Sequence, residues 1–247
     1  MTDKPVIVYG ASGYTGRLIC EYLREYNVPF LALGRDEGKL GSAMDKNVAG
    51  IETARYEIAT TSHTVEMLTK LFQGASAVCN TVGPFARYGP EVVEACLAAG
   101  VHYLDTTGEQ DWMITCDEKY GADFAAAGLL LAPGIAQMYT TGEIAAQLCL
   151  DHPGLDTLDI AVFWGGSPTI ASTQTILVNA AMSTAHYLEQ NEYQAWDPGA
   201  GLYQLAIPGQ HELALALPWG GTSHPVWFRR DPASPTCGPS AESSTRL

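Results

Sequence analysis

The chain has 247 residues, 47% of them apolar, enough to bury a core in one large domain or two small ones. Its net charge of −14 gives an acidic surface that repels nucleic acid and anionic lipid, so no nucleic-acid partner is expected. The six cysteines (Cys20, Cys79, Cys96, Cys116, Cys149 and Cys237) form no CxxC pair and have no histidine cluster beside them, which argues against a metal site. The first five fall in apolar patterns and read as small core residues, as suits a reducing cytoplasm. Met1–Pro5 runs straight into a strand-like segment with no signal-peptide pattern, and no uninterrupted apolar run reaches membrane-spanning length. A cytoplasmic protein with no integral membrane segment is the expectation.

In chain order, Pro5–Tyr9 is a short apolar run ending at a glycine loop and reads as a buried strand. Thr15–Tyr26 reads as a helix with Leu18, Ile19, Tyr22, Leu23 and Tyr26 on one face, and Pro29–Leu33 as the next strand, completing a βαβ unit. A helix marked by Val65, Leu68, Leu71 and Phe72 precedes a strand at Ala75–Thr81. Pro90 opens another helix and Gly100 closes it. Val101–Asp105, Asp111–Ala127, Leu129–Ala132 and Thr140–Leu150 continue as strand, helix, strand and helix. This alternation predicts an α/β fold, a doubly wound parallel sheet with helices on both faces, over residues 1–150. After residue 150 the pattern changes. Thr157–Trp164 reads as a half-buried strand, Thr173–Gln190 as a helix with Ile176, Leu177, Ala180, Ala181, Tyr187 and Leu188 inward, and Leu213–Leu217 and Val226–Phe228 as strands. Residues 151–230 are expected to form a smaller, partial α+β substrate domain, which is also the candidate surface for a homodimer. Residues 231–247, rich in Pro, Ser and Thr, are expected to be disordered.

Gly10, Gly13 and Gly16 lie between the first strand and the first helix. In that setting the first glycine permits the turn, the second lets the backbone approach a pyrophosphate, and the third lets the helix pack on the sheet. The helix N-terminus offers free N–H groups to phosphate, and the hydroxyls of Ser12 and Thr15 add hydrogen bonds. The second strand ends in Gly34-Arg35, with Lys39 one turn on. A guanidinium there suits the 2′-phosphate of NADP, whereas the adjacent Asp36 suits the 2′-hydroxyl of NAD; NADP is the first expectation and NAD the second.

Ligands in such sheets bind beyond the carboxyl ends of the strands. Thr81, Val82 and Gly83 are therefore expected to line the ribose and nicotinamide. Arg87 and Tyr88, read as part of the same loop, either meet a polar substrate or are plain surface. Asp105 and Glu109 close the next strand-to-helix turn, as a general base or as structural caps. Asp105 and Tyr88 are the candidates for catalysis. His102 reads as a satisfied core residue, and the histidines show no partner pattern.

Together GASGYTG at 10–16, Gly34-Arg35, and NTVGPFARYGPEVVEACLAAGVHYLDTTGE at 80–109 resemble the saccharopine dehydrogenase-like oxidoreductases, a group that includes trans-acting enoyl reductases. The resemblance covers roughly residues 5–150; beyond that, Ile170–Asn191 looks like the first helix of the family's substrate domain. It implies an NAD(P)-dependent oxidoreductase acting on a small molecule. It carries phosphate contacts onto Gly10, Ser12, Gly13, Tyr14, Thr15 and Gly16, the adenosine role onto Arg35, and nicotinamide-side contacts onto Thr81, Val82, Gly83 and Pro84. Phe85 stands where the amino-acid-metabolising members have Tyr, and Ala132 where they have an acid, so saccharopine is not the expected substrate. The chain is shorter than the family, and its Pro/Ser-rich tail reads as an unrelated ending, from truncation or a shifted frame. The readings left open are a reductase acting on a carbonyl, imine or activated alkene, a catalytically inactive NADP-binding sensor or scaffold, and an interaction domain without nucleotide.

Overall fold

A computed structural model describes residues 4–155, 157–163, 167–182, 184–197, 202–207, 209–216, 222–230 and 244–245. The chain divides into two compact units. The first comprises Met1–Thr107 and Thr115–Ile135, the second Gly108–Ile114 and Ala136–Leu247.

The first unit runs β1 (Val6–Tyr9), α1 (Tyr14–Glu25), β2 (Phe30–Gly34), α2 (Glu37–Asn47), β3 (Tyr56–Thr60), α3 (Val65–Phe72), β4 (Ala77–Asn80), α4 (Phe85–Ala99) and β5 (His102–Asp105). Helix α5 (Gln110–Thr115) lies almost wholly in the second unit. A π-helical turn at Cys116–Tyr120 then leads into α6 (Gly121–Ala126) and β6 (Leu131–Ala132). The strands pair in parallel in the order β3-β2-β1-β4-β5-β6. Such strands, covered on both faces, read as short apolar runs rather than alternating ones. On one face Val8, Phe30 and Ala32 pack against Cys20 of α1 and Leu40 and Met44 of α2. Strand order reverses between β1 and β4, and the glycine loop sits at that switch point.

Helix α2 and strand β3 have no counterpart in the sequence reading. The buried side of α1 is Gly16 and Cys20, with Ile19 and Leu23 partly buried; Tyr22 and Tyr26 are exposed. Helix α4 begins at Phe85, a turn before Pro90, so Arg87 and Tyr88 are helical. Gly89, with no Cβ, eases the restriction that Pro90 places on the residue before it. His102 is exposed, and its Nδ1 accepts from the Leu130 N–H at 3.0 Å. Cys149 is exposed rather than core, and Cys237 lies outside the described residues.

The second unit contains α7 (Gln137–Leu150), α8 (Ile170–Met182), β7 (His186–Glu189), β8 (Glu192–Ala195), β9 (Tyr203–Ala206), β10 (Leu213–Ala216), α9 (His224–Arg230) and β11 (Ser244–Thr245). Met113 of α5, Tyr139 and Val226 form one small core, and Ala146, Leu188 and Phe228 another. The unit boundary near residue 135 places α7 here, not in the first domain as residues 1–150 would have it. The expected long helix stops at Met182. Tyr187 and Leu188 instead sit on β7, which turns into β8 through Gln190 and Asn191, both at positive φ (51° and 64°), as a two-residue hairpin demands. Leu177 is exposed, not inward. Val226–Phe228 is helical, since a three-residue apolar run fits either periodicity. Within Thr157–Trp164 only Asp159 makes a bridge, and Trp164 is outside the described residues. Of the tail, only Ser244–Thr245 are described, paired antiparallel with Leu188 and Glu189. No described helix is long and apolar enough to cross a membrane.

Candidate dinucleotide site

The loop from β1 to α1 needs two of its glycines for reasons visible in the backbone. Gly10 has φ +90°, and a Cβ there would lie 2.6 Å from Thr81 Oγ1 and 3.0 Å from Val82 Cγ2. At Gly16 a Cβ would collide with the Gly10 carbonyl oxygen and stand 2.7 Å from Ala11 Cα, so the first turn of α1 rests on the loop itself. Gly13 has φ −75°, a conformation open to any residue, and the nearest atom to a Cβ would be the Gly10 carbonyl oxygen at 3.2 Å. Its side away from the loop stays open, as a close-approaching pyrophosphate requires. No side chain caps α1, and no acidic residue lies in its first turn. The positive end of the helix is thus left for an anion, with Ser12, Tyr14 and Thr15 exposed around it. These residues fit a dinucleotide pyrophosphate.

At the end of β2 the three polar residues separate. Asp36 is the N-cap of α2: its Oδ1 accepts the Lys39 N–H at 2.9 Å. Arg35 is exposed. A hollow of about 470 Å³, lined by Ser12, Asp36, Gly38, Lys39 and Ser42, opens beside them.

Thr81 ties the β4–α4 loop to β1: its N–H and its hydroxyl both donate to the Tyr9 carbonyl, at 2.8 and 2.9 Å. Asn80, which the sequence reading passed over, is fully buried. Its Oδ1 accepts the Val82 N–H at 3.0 Å, and its Nδ2 donates to the Tyr103 hydroxyl at 3.2 Å. Tyr103 in turn donates to Asp105 Oδ2 at 2.7 Å. Burial, then the Asp105 charge, pushes the Tyr103 phenol well above its ordinary range, so it remains a donor. Asp105 Oδ1 accepts the N–H groups of Thr107 (2.9 Å) and Gly134 (2.8 Å). Asp105, 2% exposed, therefore braces the loops after β4, β5 and β6. Both its oxygens are engaged, which argues for positioning rather than proton transfer. Gly83 and Pro84 are exposed, and Phe85 behind them is buried.

The Tyr88 and His63 rings stand perpendicular with centroids 5.4 Å apart, and the Arg87 guanidinium lies 5.0 Å over the Tyr88 ring. His63 is the second residue missed from sequence; its partners, Tyr9 and Glu91, are 54 and 28 positions away. No local spacing could have signalled either pair.

A parallel sheet in this order, with a glycine loop and an uncapped helix at its switch point, defines the first unit as a dinucleotide-binding Rossmann domain. Residues 6–127 match the family model of the saccharopine dehydrogenase NADP binding domain. Residues 6–127 are thus a saccharopine dehydrogenase-like NAD(P)-binding domain. Residues 140–242 match a family of unknown function (DUF5938). That match extends through most of 231–247, so this stretch is shared with a family rather than an unrelated ending. Among curated proteins the chain is similar to a lipid droplet localized protein of Caenorhabditis elegans, at 31% identity over 52% of this chain and 32% of the relative. It is similar to a trans-acting enoyl reductase of Mycobacterium ulcerans, at 33% over 42% of this chain and 25% of the relative. It is also similar to a saccharopine dehydrogenase-like oxidoreductase of Homo sapiens, at 26% over 51% and 32%. The chain thus spans a third or less of the length of these relatives.

Proposed function

We propose that this chain binds NADP(H) and serves hydride transfer to or from a small carbonyl, imine or activated alkene. The observation that carries the choice of cofactor is the capping of α2 by Asp36. The carboxylate at the end of β2, Asp36, already accepts the Lys39 N–H through Oδ1, while the neighbouring Arg35 is exposed beside it. A guanidinium at that position suits a 2′-phosphate. The NADP-binding description of the matching family model supports the same reading.

The loop amides, the α1 N-terminus, Ser12, Tyr14 and Thr15 hold the pyrophosphate. Arg35 and Lys39 hold the 2′-phosphate, and Thr81 to Pro84 form the wall on the nicotinamide side. When bound, the cofactor supplies the hydride. Asp105, through Tyr103 and Asn80, keeps the Thr81–Pro84 wall in register with the ends of β5 and β6. Buried Phe85 brings no hydroxyl to a substrate, and Ala132 no charge, which favours substrates without an amino-acid group.

Thermal shift and titration with NADPH, NADP, NADH and NAD test the cofactor assignment. The wild type should prefer NADPH to NADH, and Arg35→Ala should lose about tenfold in NADPH affinity, the scale of one charge-assisted contact, with NADH little changed. Asp36→Ala should cost about 1 kcal/mol of stability through the lost cap yet keep the preference. Equal stabilisation of wild type and Arg35→Ala by NADPH would overturn the assignment. Oxidation of NADPH against a panel of aldehydes, imines and enones then tests turnover.

A further inference from the structure

The chain passes between the two units after Thr107, after Ile114 and after Ile135. The first and last of these crossings are fastened to one residue of the first unit. Asp105 Oδ1 accepts the N–H groups of Thr107 (2.9 Å) and Gly134 (2.8 Å), and the Asp105 main-chain carbonyl accepts the Ile135 N–H at 2.8 Å. The other carboxylate oxygen, Oδ2, accepts from the Tyr103 hydroxyl at 2.7 Å. The phenol accepts in turn from Asn80 Nδ2 at 3.2 Å, and Asn80 Oδ1 accepts the Val82 N–H at 3.0 Å. An unbroken line of hydrogen bonds therefore runs from the loop after β4 to the places where the chain leaves the first unit.

The line has one polarity. A backbone N–H can only donate, so Val82 fixes the Asn80 amide with its oxygen toward the loop and its nitrogen toward the phenol. The phenol, receiving an N–H, gives its own proton to Asp105. Asn80, Tyr103 and Thr107 are fully buried and Asp105 nearly so, which keeps solvent from replacing these bonds and lets each strengthen the next. Displacing Val82 turns the amide that orients the phenol, and the phenol holds the carboxylate that fastens both crossings.

We propose that Tyr103 is a positioning residue that couples dinucleotide occupancy to the two crossings into the second unit. A cofactor seated against Thr81–Pro84 firms the Val82–Asn80 bond, and Tyr103 and Asp105 carry that effect to residues 107, 134 and 135. This rests on the nicotinamide-side reading of Thr81–Pro84.

The test is amide hydrogen exchange of the whole chain, free and with NADPH, for wild type, Asn80→Ala, Tyr103→Phe and the double variant, each at the same multiple of its own dissociation constant. In the wild type NADPH should slow exchange at Thr107, Gly134 and Ile135 about tenfold, within the usual range of coupling between sites. Asn80→Ala leaves Asp105 bonded to Tyr103, Thr107 and Gly134. Exchange of these amides in the free protein should therefore stay within about twofold of wild type, while the slowing by NADPH is lost. A role confined to bracing would leave that slowing in place. Tyr103→Phe should lose it too, and the double variant should lose no more than either single one, as two cuts in one line require. If Tyr103→Phe does not fold, Asn80→Ala carries the test. The amide of Leu68 in α3, bonded to the Thr64 carbonyl away from this line, is the control and should respond alike in all four proteins. Slowing that persists in Asn80→Ala overturns the proposal, as does a wild type in which Val82 is slowed and Thr107, Gly134 and Ile135 are not. NADPH that stabilises the wild type without slowing Val82 overturns the reading of Thr81–Pro84, and the proposal with it.

Discussion

At the residue scale, neighbouring polar side chains take separate tasks through the partners the fold provides. Asp36 and Arg35 are adjacent and both exposed, yet Asp36 opens α2 as its N-cap and Arg35 does not. The cap was within reach of sequence reasoning, because an Asp three residues before a backbone N–H it can bond is a local signal. Asp105 could not be read this way: one of its donors, Gly134, is 29 positions distant. Asp105→Asn is expected to cost about 1–3 kcal/mol, because its amide would face the Tyr103 hydroxyl as a second donor and leave the phenolic proton without its acceptor. Urea denaturation of the two proteins measures this, and an unchanged midpoint would show that Asp105 is no brace.

At the element scale, the glycine loop, α1 and β1 were legible because strand, turn and helix follow one another within twenty residues. Helix α4 was misplaced by a turn because Pro90 is a strong start signal and Gly89 a weak cue that the proline could be accommodated. Helix α9 was misread because Val226 to Phe228 fits either periodicity; the His224 it carries has one partner two residues back and one far off in the chain. His224 Nε2 lies 3.0 Å from the Tyr139 carbonyl oxygen and Nδ1 3.1 Å from Thr222 Oγ1, and a Cβ on Gly142 would come within 2.8 Å of Nε2. Burial lowers the His224 pKa, the Tyr139 carbonyl opposing it, so the fold holds the neutral ring. The unfolded chain then binds a proton more readily than the folded one. The contribution of His224 is complete above its ordinary pKa of 6.5 and is lost as pH falls from there through the depressed folded value. Melting temperature should fall as pH drops below that point, more steeply for the wild type than for His224→Gln. Parallel pH profiles would remove His224 as the cause.

At the scale of the whole chain, the boundary between units does not follow sequence order. Gly108–Ile114 leaves the first unit and enters the second, where Gln110 Nε2 donates to the carbonyls of His186 (3.1 Å) and Thr222 (3.2 Å), its Oε1 accepts the His186 N–H (2.7 Å), and Met113 packs with Tyr139 and Val226. A fragment ending at residue 135 keeps all six strands of the parallel sheet and should still bind NADPH. It lacks every one of those partners of α5, so amides of Gln110–Thr115 should exchange hydrogen faster than in the whole chain. Equal protection in fragment and whole chain would show that α5 is held by the first unit instead.

The sequence by itself determined the parallel α/β architecture of the first unit, the placing of the glycine loop and the candidate pyrophosphate contacts. Each of these is written in local periodicity and in residues a few positions apart, where hydrophobic spacing and backbone sterics act directly. Tertiary structure alone decided which unit α5 joins, that Asn80, Tyr103 and Asp105 form one brace, and that His63 stands between Tyr9 and Glu91. Those outcomes depend on hydrogen bonds and packing between residues distant in the chain, and such pairings exist only once the strands are ordered.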